Sequence, residues 1–331
     1  MSPRPPVVVA HRGASSTRPE NTMASFEEAI SLGAPFLECD VRLSADGVAM
    51  VIHDPTLDRT TDGTGPVHAR TAADLRRLNA GTPSAPQRIP FLTEILDLAS
   101  GRIGLVLEIK NLPGEPAFTH GEEPIVDATL RALDARAFSG QVLVVSFNPA
   151  SVVAARDAGG VSTGLLLAGR DDPRPGLAHA VDEGHDMVLP GTWSLVPAGK
   201  AFVDEAHAAG IRVGTWVVDD APTVRELAGW GLDAIASNDP AMALAAVATA
   251  AVAASVPEAV IVGLLDRHAG RDWGDLDAED KAANDSDHSH AEGRLFSSYD
   301  TPEHGTIWVI TEDLRGEAGG PITTVLFPED Y

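Results

Sequence analysis

The sequence contains a single cysteine, Cys39, so the chain cannot form an intramolecular disulfide. Structural disulfides are rare in reducing compartments, and we therefore expect a cytoplasmic protein. The first apolar run, residues 7–10, is too short for the apolar region of a signal peptide. Long apolar runs are also lacking, and the longest candidate, residues 241–256, is rich in alanine and typical of a terminal helix. We therefore expect no transmembrane segment.

Basic residues are scarce in this sequence. The chain has 24 Lys and Arg against 48 Asp and Glu, which gives a formal net charge of −24. Nucleic-acid binding depends on basic patches, so this balance argues against a nucleic-acid partner. An anionic small-molecule substrate would need a local group of cations in order to approach such a protein.

Apolar runs and helical patterns alternate along the first 250 residues. The runs predict strands at the following positions: 7–10, 35–41, 48–52, 103–109, 141–146, 161–167, 187–189, 211–218 and 233–236. Helices are predicted between them at 22–33, 71–79, 93–99, 123–135, 149–157, 175–183, 199–208, 221–229 and 241–256. This alternation predicts an α/β fold with a parallel sheet, and about eight strands favour a closed (β/α)8 TIM barrel. No dinucleotide fingerprint or P-loop follows the first strand, which weakens the open-sheet alternative.

The pattern changes after Pro257. Two helices are predicted at 257–267 and 277–287, and short strands follow at 294–298, 306–311 and 322–327. Helices followed by strands, without alternation, indicate a separate small α+β module. We therefore expect a barrel domain at residues 1–250 and a C-terminal module at residues 257–331.

Three acidic side chains lie near the carboxyl ends of predicted strands. Glu38 and Asp40 are two residues apart and so point to the same side of one strand, and Glu108 closes another. Clustered carboxylates repel each other unless a cation lies between them. Oxygen ligands suit a hard divalent cation, Mg2+ or Ca2+, better than zinc. The sequence therefore predicts one metal site at the mouth of the barrel.

Two histidines and two cations follow the same strands. His11 and His53 each end an apolar run, and two imidazoles with pKa values near neutrality can act as acid and base in one turnover. Arg12 offers a forked donor that matches a phosphate, and pairing with Glu20 or Glu38 is its structural alternative. Lys110 adds a second charge, either for the phosphate or to neutralise the carboxylates. This set is typical of phosphoryl transfer from a diester.

Six ordered motifs make the chain similar to the glycerophosphodiester phosphodiesterases. They are His11-Arg12-Gly13, Pro19-Glu20-Asn21-Thr22, Glu38-Cys39-Asp40-Val41, Val51-Ile52-His53-Asp54 after Asp46-Gly47, Leu57-Asp58-Arg59-Thr60-Thr61, and Glu108-Ile109-Lys110. Weaker matches, Ser146-Phe147, Thr215-Trp216-Val217-Val218 and Gly231 to Ile235, extend the resemblance over residues 7–240.

The resemblance implies a TIM barrel and metal-dependent hydrolysis of a small-molecule glycerophosphodiester to glycerol 3-phosphate and an alcohol. By the pattern of this family, the acid/base pair is His11 and His53, and the metal ligands are Glu38, Asp40 and Glu108. The resemblance also implies that Arg12 binds the phosphate and that the glycerol 2-hydroxyl attacks phosphorus to give a cyclic phosphate. We further expect Lys110, as a second cation, and Trp216, as a pocket wall, to take part in substrate binding. Asp219 departs from the family, in which Asn is frequent, and Ala234 stands where Gly is frequent.

Two other functions remain open at this point. A phospholipase D-like enzyme of the same fold would act on lysophospholipids or sphingolipids and would need an apolar rim, of which residues 55–70 and 112–124 give no clear sign. A non-catalytic scaffold would act through the C-terminal module, which is similar to small bacterial proteins of plasmids and mobile elements. On that reading the module binds an unknown protein partner.

Overall fold

The computed structural model describes residues 4–290, 294–312 and 322–328 of the 331-residue chain. The chain divides into two compact units. The barrel unit comprises residues 6–220 and 232–243, and the C-terminal unit comprises residues 1–5, 221–231 and 244–331. The predicted boundary between residues 250 and 257 stays a prediction.

Eight parallel strands close the barrel unit into a cylinder. Its strands are β1 (Val7–His11), β2 (Phe36–Leu43), β3 (Ala49–Val51), β4 (Gly104–Ile109), β5 (Val142–Ser146), β6 (Ser162–Leu167), β7 (Met187–Pro190), β8 (Arg212–Thr215) and β9 (Ala234–Ser237). The order is β1-β9-β8-β7-β6-β5-β4-β2, and pairing of β1 with β2 closes the ring. The short strand β3 lies outside the ring because it pairs antiparallel with the end of β2. The predicted TIM barrel is therefore confirmed.

Helices alternate with these strands along the chain. They are α1 (Met23–Ser31), a 3-10 turn (Val67–Ala69), α2 (Ala72–Leu75), α3 (Leu92–Ala99), α4 (Pro124–Ala135), α5 (Pro149–Ala158), α6 (Arg174–Asp182), α7 (Thr192–Ala208), α8 (Ala221–Trp230) and α9 (Pro240–Ser255). Outward-facing side chains such as Leu37, Leu105 and Leu107 are fully buried in the main core cluster of this layer. Cys39 belongs to the same cluster, because it alternates with Glu38 and Asp40 along the strand and so points to the opposite face.

Two helices differ from their predicted bounds. Helix α2 is a single turn where residues 71–79 were predicted to be helical, since the chain turns back after Arg76. Helix α7, from Thr192 to Ala208, consists of two helical segments separated at Gly199, whose φ of 71° and ψ of −178° are not helical. The second segment corresponds to the helix predicted at 199–208, and the first segment, which begins at Thr192, was not predicted.

The C-terminal unit combines helices with an antiparallel sheet. Its further elements are α10 (Glu258–Ala269), α11 (Ala278–His290), β10 (Leu295–Thr301), β11 (Gly305–Glu312) and β12 (Ile322–Leu326), with β11 in the centre of the sheet. Asp277 caps α11 by accepting hydrogen bonds from the N–H groups of Glu279 and Asp280. Tyr299 packs with aliphatic side chains in the core of this unit. Among the described residues, no helix is both long and apolar enough to span a membrane.

Candidate active site

Three carboxylates meet at the carboxyl ends of β2 and β4. Asp40 lies opposite Glu108 in the register of the two strands, and Glu38 lies on the same strand as Asp40. One oxygen of each carboxylate lies within 4.8 Å of the others, and all three side chains are buried. Glu38 Oε1 has no hydrogen-bond partner among the residues that the structure describes. A buried all-oxygen cluster with an unpartnered oxygen fits a hard divalent cation, as the sequence predicted.

Two cations neutralise part of this cluster. Lys110 Nζ lies 2.9 Å from Asp40 Oδ1 and also pairs with Glu108. The Arg12 guanidinium lies 3.2 Å from Asp40 Oδ2 and donates to Glu20 Oε1 at 3.0 Å. The sequence left two roles open for Arg12 and Lys110, phosphate binding and pairing with carboxylates. The two roles are compatible, since both cations line the cavity while they pair with carboxylates.

Burial and charge set the protonation of the cluster. Burial opposes ionisation of Asp40, but Lys110 and Arg12 outweigh it and hold its pKa well below the usual range. Burial, together with the charge of Asp40, raises the pKa of Glu38 to about 8. Burial also raises the pKa of Glu108 to about 7, against the effect of Lys110. The two cations are thus insufficient to ionise all three carboxylates, and a bound cation would supply the missing positive charge.

The loop after β1 fixes the positions of two carboxylates of the site. Arg12 and Asn21 both have left-handed backbones, with φ of 56° and 55°, a conformation that side chains other than glycine adopt rarely. The Arg12 N–H donates to Glu38 Oε2 at 2.9 Å, and Asn21 Nδ2 donates to Asp40 Oδ2 at 2.7 Å. Gly13 must be glycine, because a Cβ there would lie 2.5 Å from the Ser25 hydroxyl. The loop therefore orients both carboxylates of β2.

His11 ends β1 and is held by a chain of side chains from β9 and its neighbours. Its Nδ1 lies 2.7 Å from Asn238 Oδ1, which also accepts from Ser15 Oγ at 2.8 Å. The amide of Asn238 cannot turn round, because its Nδ2 donates to Asp219 Oδ2 at 2.6 Å. The proton of neutral His11 is thus on Nδ1, and Nε2 carries the lone pair. Burial, followed by the charge of Arg12, lowers the pKa of His11 and favours this neutral ring.

His53 lies just after β3 and belongs to a second chain of side chains. Its Nδ1 lies 2.6 Å from Asp54 Oδ1. Arg59 donates two hydrogen bonds to Asp54, at 2.6 and 2.9 Å, and two to Glu20, at 2.7 and 2.8 Å. Since Glu20 also accepts from Arg12, the chain connects the two histidine loops. Burial lowers the pKa of His53, and the charge of Asp40 and the hydrogen bond with Asp54 oppose that shift.

These two supporting chains were missed in the sequence. Asp54 and Arg59 lie within the motifs that carried the resemblance, but no role was inferred for them. Asn238 follows the last barrel strand and was not singled out. The signal for it was a polar turn at the carboxyl end of a strand, which is where barrel chemistry concentrates.

An aromatic group forms one wall of the mouth. Trp216 packs edge-on against Phe147 at 5.2 Å and against Trp193 at 4.7 Å between ring centroids. Its indole Nε1 donates to the Leu189 carbonyl at 2.9 Å, which fixes the ring. The cavity beside this wall has a volume of about 710 Å³ and is also lined by both histidines and by Glu38, Glu108, Arg12 and Lys110. The structure therefore brings together all the predicted site residues, and Asp40, which does not itself line the cavity, lies in the carboxylate cluster beside it.

Comparisons with known proteins agree on one family. The model of the glycerophosphoryl diester phosphodiesterase family matches residues 11–242. A glycerophosphodiester phosphodiesterase of Caldanaerobacter subterraneus subsp. tengcongensis is 33% identical over 246 residues, which cover 71% of this chain and 94% of the relative. One from Bacillus subtilis is 29% identical and covers 72% of this chain and 86% of its own length.

A solved structure extends the likeness to three dimensions. An Oleispira antarctica phosphodiesterase, in complex with the product sn-glycerol-3-phosphate, is 29% identical and superposes with a TM-score of 0.66. The match covers 73% of this chain and 96% of that protein.

Proposed function

This chain belongs to the glycerophosphoryl diester phosphodiesterase family and is a glycerophosphodiester phosphodiesterase, and we propose that it works with a divalent cation and a histidine pair. Its products are glycerol 3-phosphate and an alcohol, as the product bound to the Oleispira antarctica relative supports. The observation that carries the proposal is the cluster of three buried carboxylates, two of which line one cavity together with His11 and His53.

The carboxylates are the residues that would hold the cation. Glu38, Asp40 and Glu108 supply only oxygen ligands, and the unpartnered Oε1 of Glu38 supports such a role. When bound there, Mg2+ or Ca2+ would neutralise charge on the phosphate and acidify a hydroxyl group beside it. Arg12 and Lys110 line the same cavity and would bind the phosphate oxygens.

The partners of the two histidines support a different role for each. Neutral His11 presents a lone pair at Nε2, because Asn238 holds the proton on Nδ1. His53 has a carboxylate partner, Asp54, which stabilises the protonated ring far better than an amide does. We therefore assign His11 as the base and His53 as the acid of the first step.

The first step then balances as an internal displacement. His11 Nε2 takes the proton of the glycerol 2-hydroxyl, and that oxygen forms a bond to phosphorus. The bond from phosphorus to the leaving alcohol breaks, and His53 supplies the proton that this oxygen needs. A nucleophile within the substrate avoids the entropy cost of bringing one in. Water opens the cyclic phosphate in a second step, with the two histidine roles exchanged.

The wall of the mouth is the proposed site for the alcohol group. Trp216 presents a large aromatic surface, held in place by Phe147 and Trp193, and it lines the same cavity as the histidines. Aromatic faces attract ammonium groups, so choline and ethanolamine esters are the first substrates to test. For the C-terminal unit we keep the proposal of a protein partner, which rests on the sequence alone.

The test is a diester assay with a metal series. We expect hydrolysis of glycerophosphocholine to require added Mg2+ or Ca2+ after chelation, with glycerol 3-phosphate as the product. Glu38→Gln should raise the metal concentration needed at least tenfold, whereas Glu27→Gln, the same change on an exposed helix face, should not. Full activity in excess chelator, with no metal found by elemental analysis, would contradict the metal role.

A further inference from the structure

Arg42 is a buried arginine on β2, two residues after Asp40, and it is only 5% exposed. By the alternation of the strand, Glu38, Asp40 and Arg42 point to the same side. In the part of the chain that the structure describes, Arg42 is not among the residues that line the active-site cavity. It lines a second cavity of about 170 Å³, together with Pro55 and Asn111. Its side chain therefore lies beside the active site without facing the substrate.

The main chain of His53 is held by this arginine. Ile52, just past the end of β3, donates its N–H to the Asp40 carbonyl at 3.0 Å and so continues the pairing of β3 with β2. At the next residue the donor is a side chain, since Arg42 Nε donates to the His53 carbonyl at 2.7 Å. The ring of His53 is held separately, through Asp54. His53 therefore has two anchors, one on its ring and one on its main chain.

Glu115 fixes the direction of the Arg42 donor. Its two carboxylate oxygens accept from Arg42 Nη1 at 2.6 Å and from Arg42 Nη2 at 3.0 Å. A guanidinium is planar and rigid, so two bonds at its Nη atoms also determine where the Nε–H points. A buried arginine without a partner is costly, and Glu115 supplies the neutralising charge. The pair thus holds one charged donor at the His53 carbonyl.

The loop after β4 holds Glu115 in turn. The N–H of Glu115 donates to the Leu112 carbonyl at 3.1 Å, which forms a tight turn. Farther along the loop, the N–H of Thr119 donates to Asn111 Oδ1 at 3.0 Å and closes the loop on its own start. The Glu115 carboxylate therefore joins the carboxyl ends of β2 and β4 to the loop that carries His53.

We propose that Arg42, held by Glu115, is a positioning residue for His53 and aligns its ring with the leaving oxygen of the substrate. The inference rests on the proposed function, in which His53 gives a proton to the leaving alcohol in the first step and takes one from water in the second. Arg42 acts on the substrate through His53 alone. Steps that need proton transfer at His53 should therefore depend on Arg42, and steps that do not need it should not.

Substrates that differ in their need for an acid test this role. Glycerophosphocholine releases choline, whose oxygen needs a proton as its bond to phosphorus breaks. The p-nitrophenyl ester of glycerol 3-phosphate releases p-nitrophenolate, which is stable as an anion and leaves without a proton. Glycerol 1,2-cyclic phosphate undergoes only the second step, in which His53 takes the proton of the attacking water. The three compounds therefore separate proton transfer at His53 from the rest of the reaction.

The test variant is Arg42→Met, which removes the hydrogen bonds to His53 and Glu115 and keeps an unbranched apolar stem. The kcat for glycerophosphocholine and for opening of the cyclic phosphate should each fall by about tenfold or more, because a charged donor is lost. KM should change by less than about threefold, since Arg42 does not face the substrate. Release of p-nitrophenolate in a single turnover should stay within about twofold of the wild-type rate.

A second variant keeps the test valid if the first fails to fold. Glu115→Gln has one acceptor oxygen in place of two, so it retains one of the two bonds to Arg42. It should give the same pattern over the three compounds with a smaller loss.

Arg76→Met is the matched control. Arg76 also joins a backbone carbonyl to a carboxylate, because its Nη1 donates to the Ile89 carbonyl at 3.0 Å and its Nη2 to Glu94 Oε1 at 2.8 Å. It has no role in the proposed mechanism. All three rates should therefore equal those of the wild type, even where calorimetry shows a lower Tm.

The outcomes separate the role of Arg42 from the diesterase itself. Equal slowing of all three reactions by Arg42→Met, or unchanged rates for all three, would overturn the positioning role and leave the diesterase standing. A wild-type enzyme that hydrolyses none of the three compounds would overturn the proposed function. Nitrogen NMR of the His53 ring then decides the role of Arg42. One set of signals that broadens or doubles in Arg42→Met supports positioning, and identical spectra overturn it.

Discussion

Asp219→Asn should disable the base of the first step without touching the substrate. The carboxylate of Asp219 faces three donors: Asn238 Nδ2 at 2.6 Å, the Asn238 N–H at 2.8 Å and Ser237 Oγ at 3.0 Å. An amide has only one acceptor oxygen, so one donor would then face an NH2 group. Rotation of the Asn238 side chain relieves that conflict, but it presents the Asn238 NH2 to His11 Nδ1. The proton of His11 must then move to Nε2, where the base is needed.

The expected size of the effect follows from the hydrogen bond that is lost. A hydrogen bond to a charged group contributes about 1.5–3 kcal/mol, which corresponds to roughly 10- to 150-fold in kcat. Loss of the base altogether sets a ceiling of about 10⁴-fold. KM for glycerophosphocholine should change less than threefold, because Asp219 acts through Asn238 and His11 as a positioning residue.

A second change should restore the activity. In the double variant D219N/N238D, the new Asp at 238 accepts from His11 Nδ1 and Ser15, and the new Asn at 219 donates to that Asp. The single side-chain oxygen of the new Asn at 219 still accepts from the backbone N–H of residue 238 and from Ser237 Oγ. Every donor is therefore satisfied. The assay is kcat for D219N, N238D and the double variant, with the His11 tautomer read by nitrogen NMR. A D219N enzyme with unchanged kcat, or one that the second change does not rescue, would refute the reasoning.

Three other outcomes are expected. Arg59→Met should lower kcat about tenfold, because it removes the charged hydrogen bonds to Asp54 that orient His53. The control Arg18→Met removes only an exposed pair with Glu28 and should change kcat less than twofold. Equal rates for the two variants would contradict the positioning role of Arg59. Ethylene-glycol or 2-deoxy analogues of glycerophosphocholine should compete for binding but turn over at least 10²-fold more slowly, and equal rates would rule out the cyclic phosphate. A chain that ends after Ser255 should keep diesterase activity, because every proposed catalytic side chain lies before residue 240; a soluble, folded but inactive product would show that the C-terminal unit contributes to the site.

The parts of the site that the sequence predicted lie at strand ends. Glu38 and Asp40 share one strand face by parity, and Glu108 closes a neighbouring apolar run, so the topology of a parallel barrel brings them together. Histidines that end apolar runs are located by the same argument. These inferences need only the period of a strand and the direction of neighbouring strands.

The remaining parts depend on how the ring closes. Asn238 reaches His11 only because β9 pairs with β1, across 227 positions of sequence. Arg59 could pair with many acids, and nothing local selects Asp54 and Glu20. The active-site cavity is a volume left over by side chains of several strands, so no short stretch of sequence encodes it. The kink in α7 shows the same limit, because Gly199 ends or bends a helix according to what packs around it.

Glu20 places a carboxylate next to two arginines of the active site. It accepts from Arg12 and, with both oxygens, from Arg59, so the arginine that we propose binds the phosphate is already paired. A phosphate that took the Nη1 donor of Arg12 would have to displace this carboxylate, which would stay paired with Arg59. The free energy of binding would then be the difference between the Arg12–phosphate pair and the Arg12–Glu20 pair. This difference would limit how tightly the product is retained. On the proposed function, Glu20 would pair with Arg12 again each time glycerol 3-phosphate leaves.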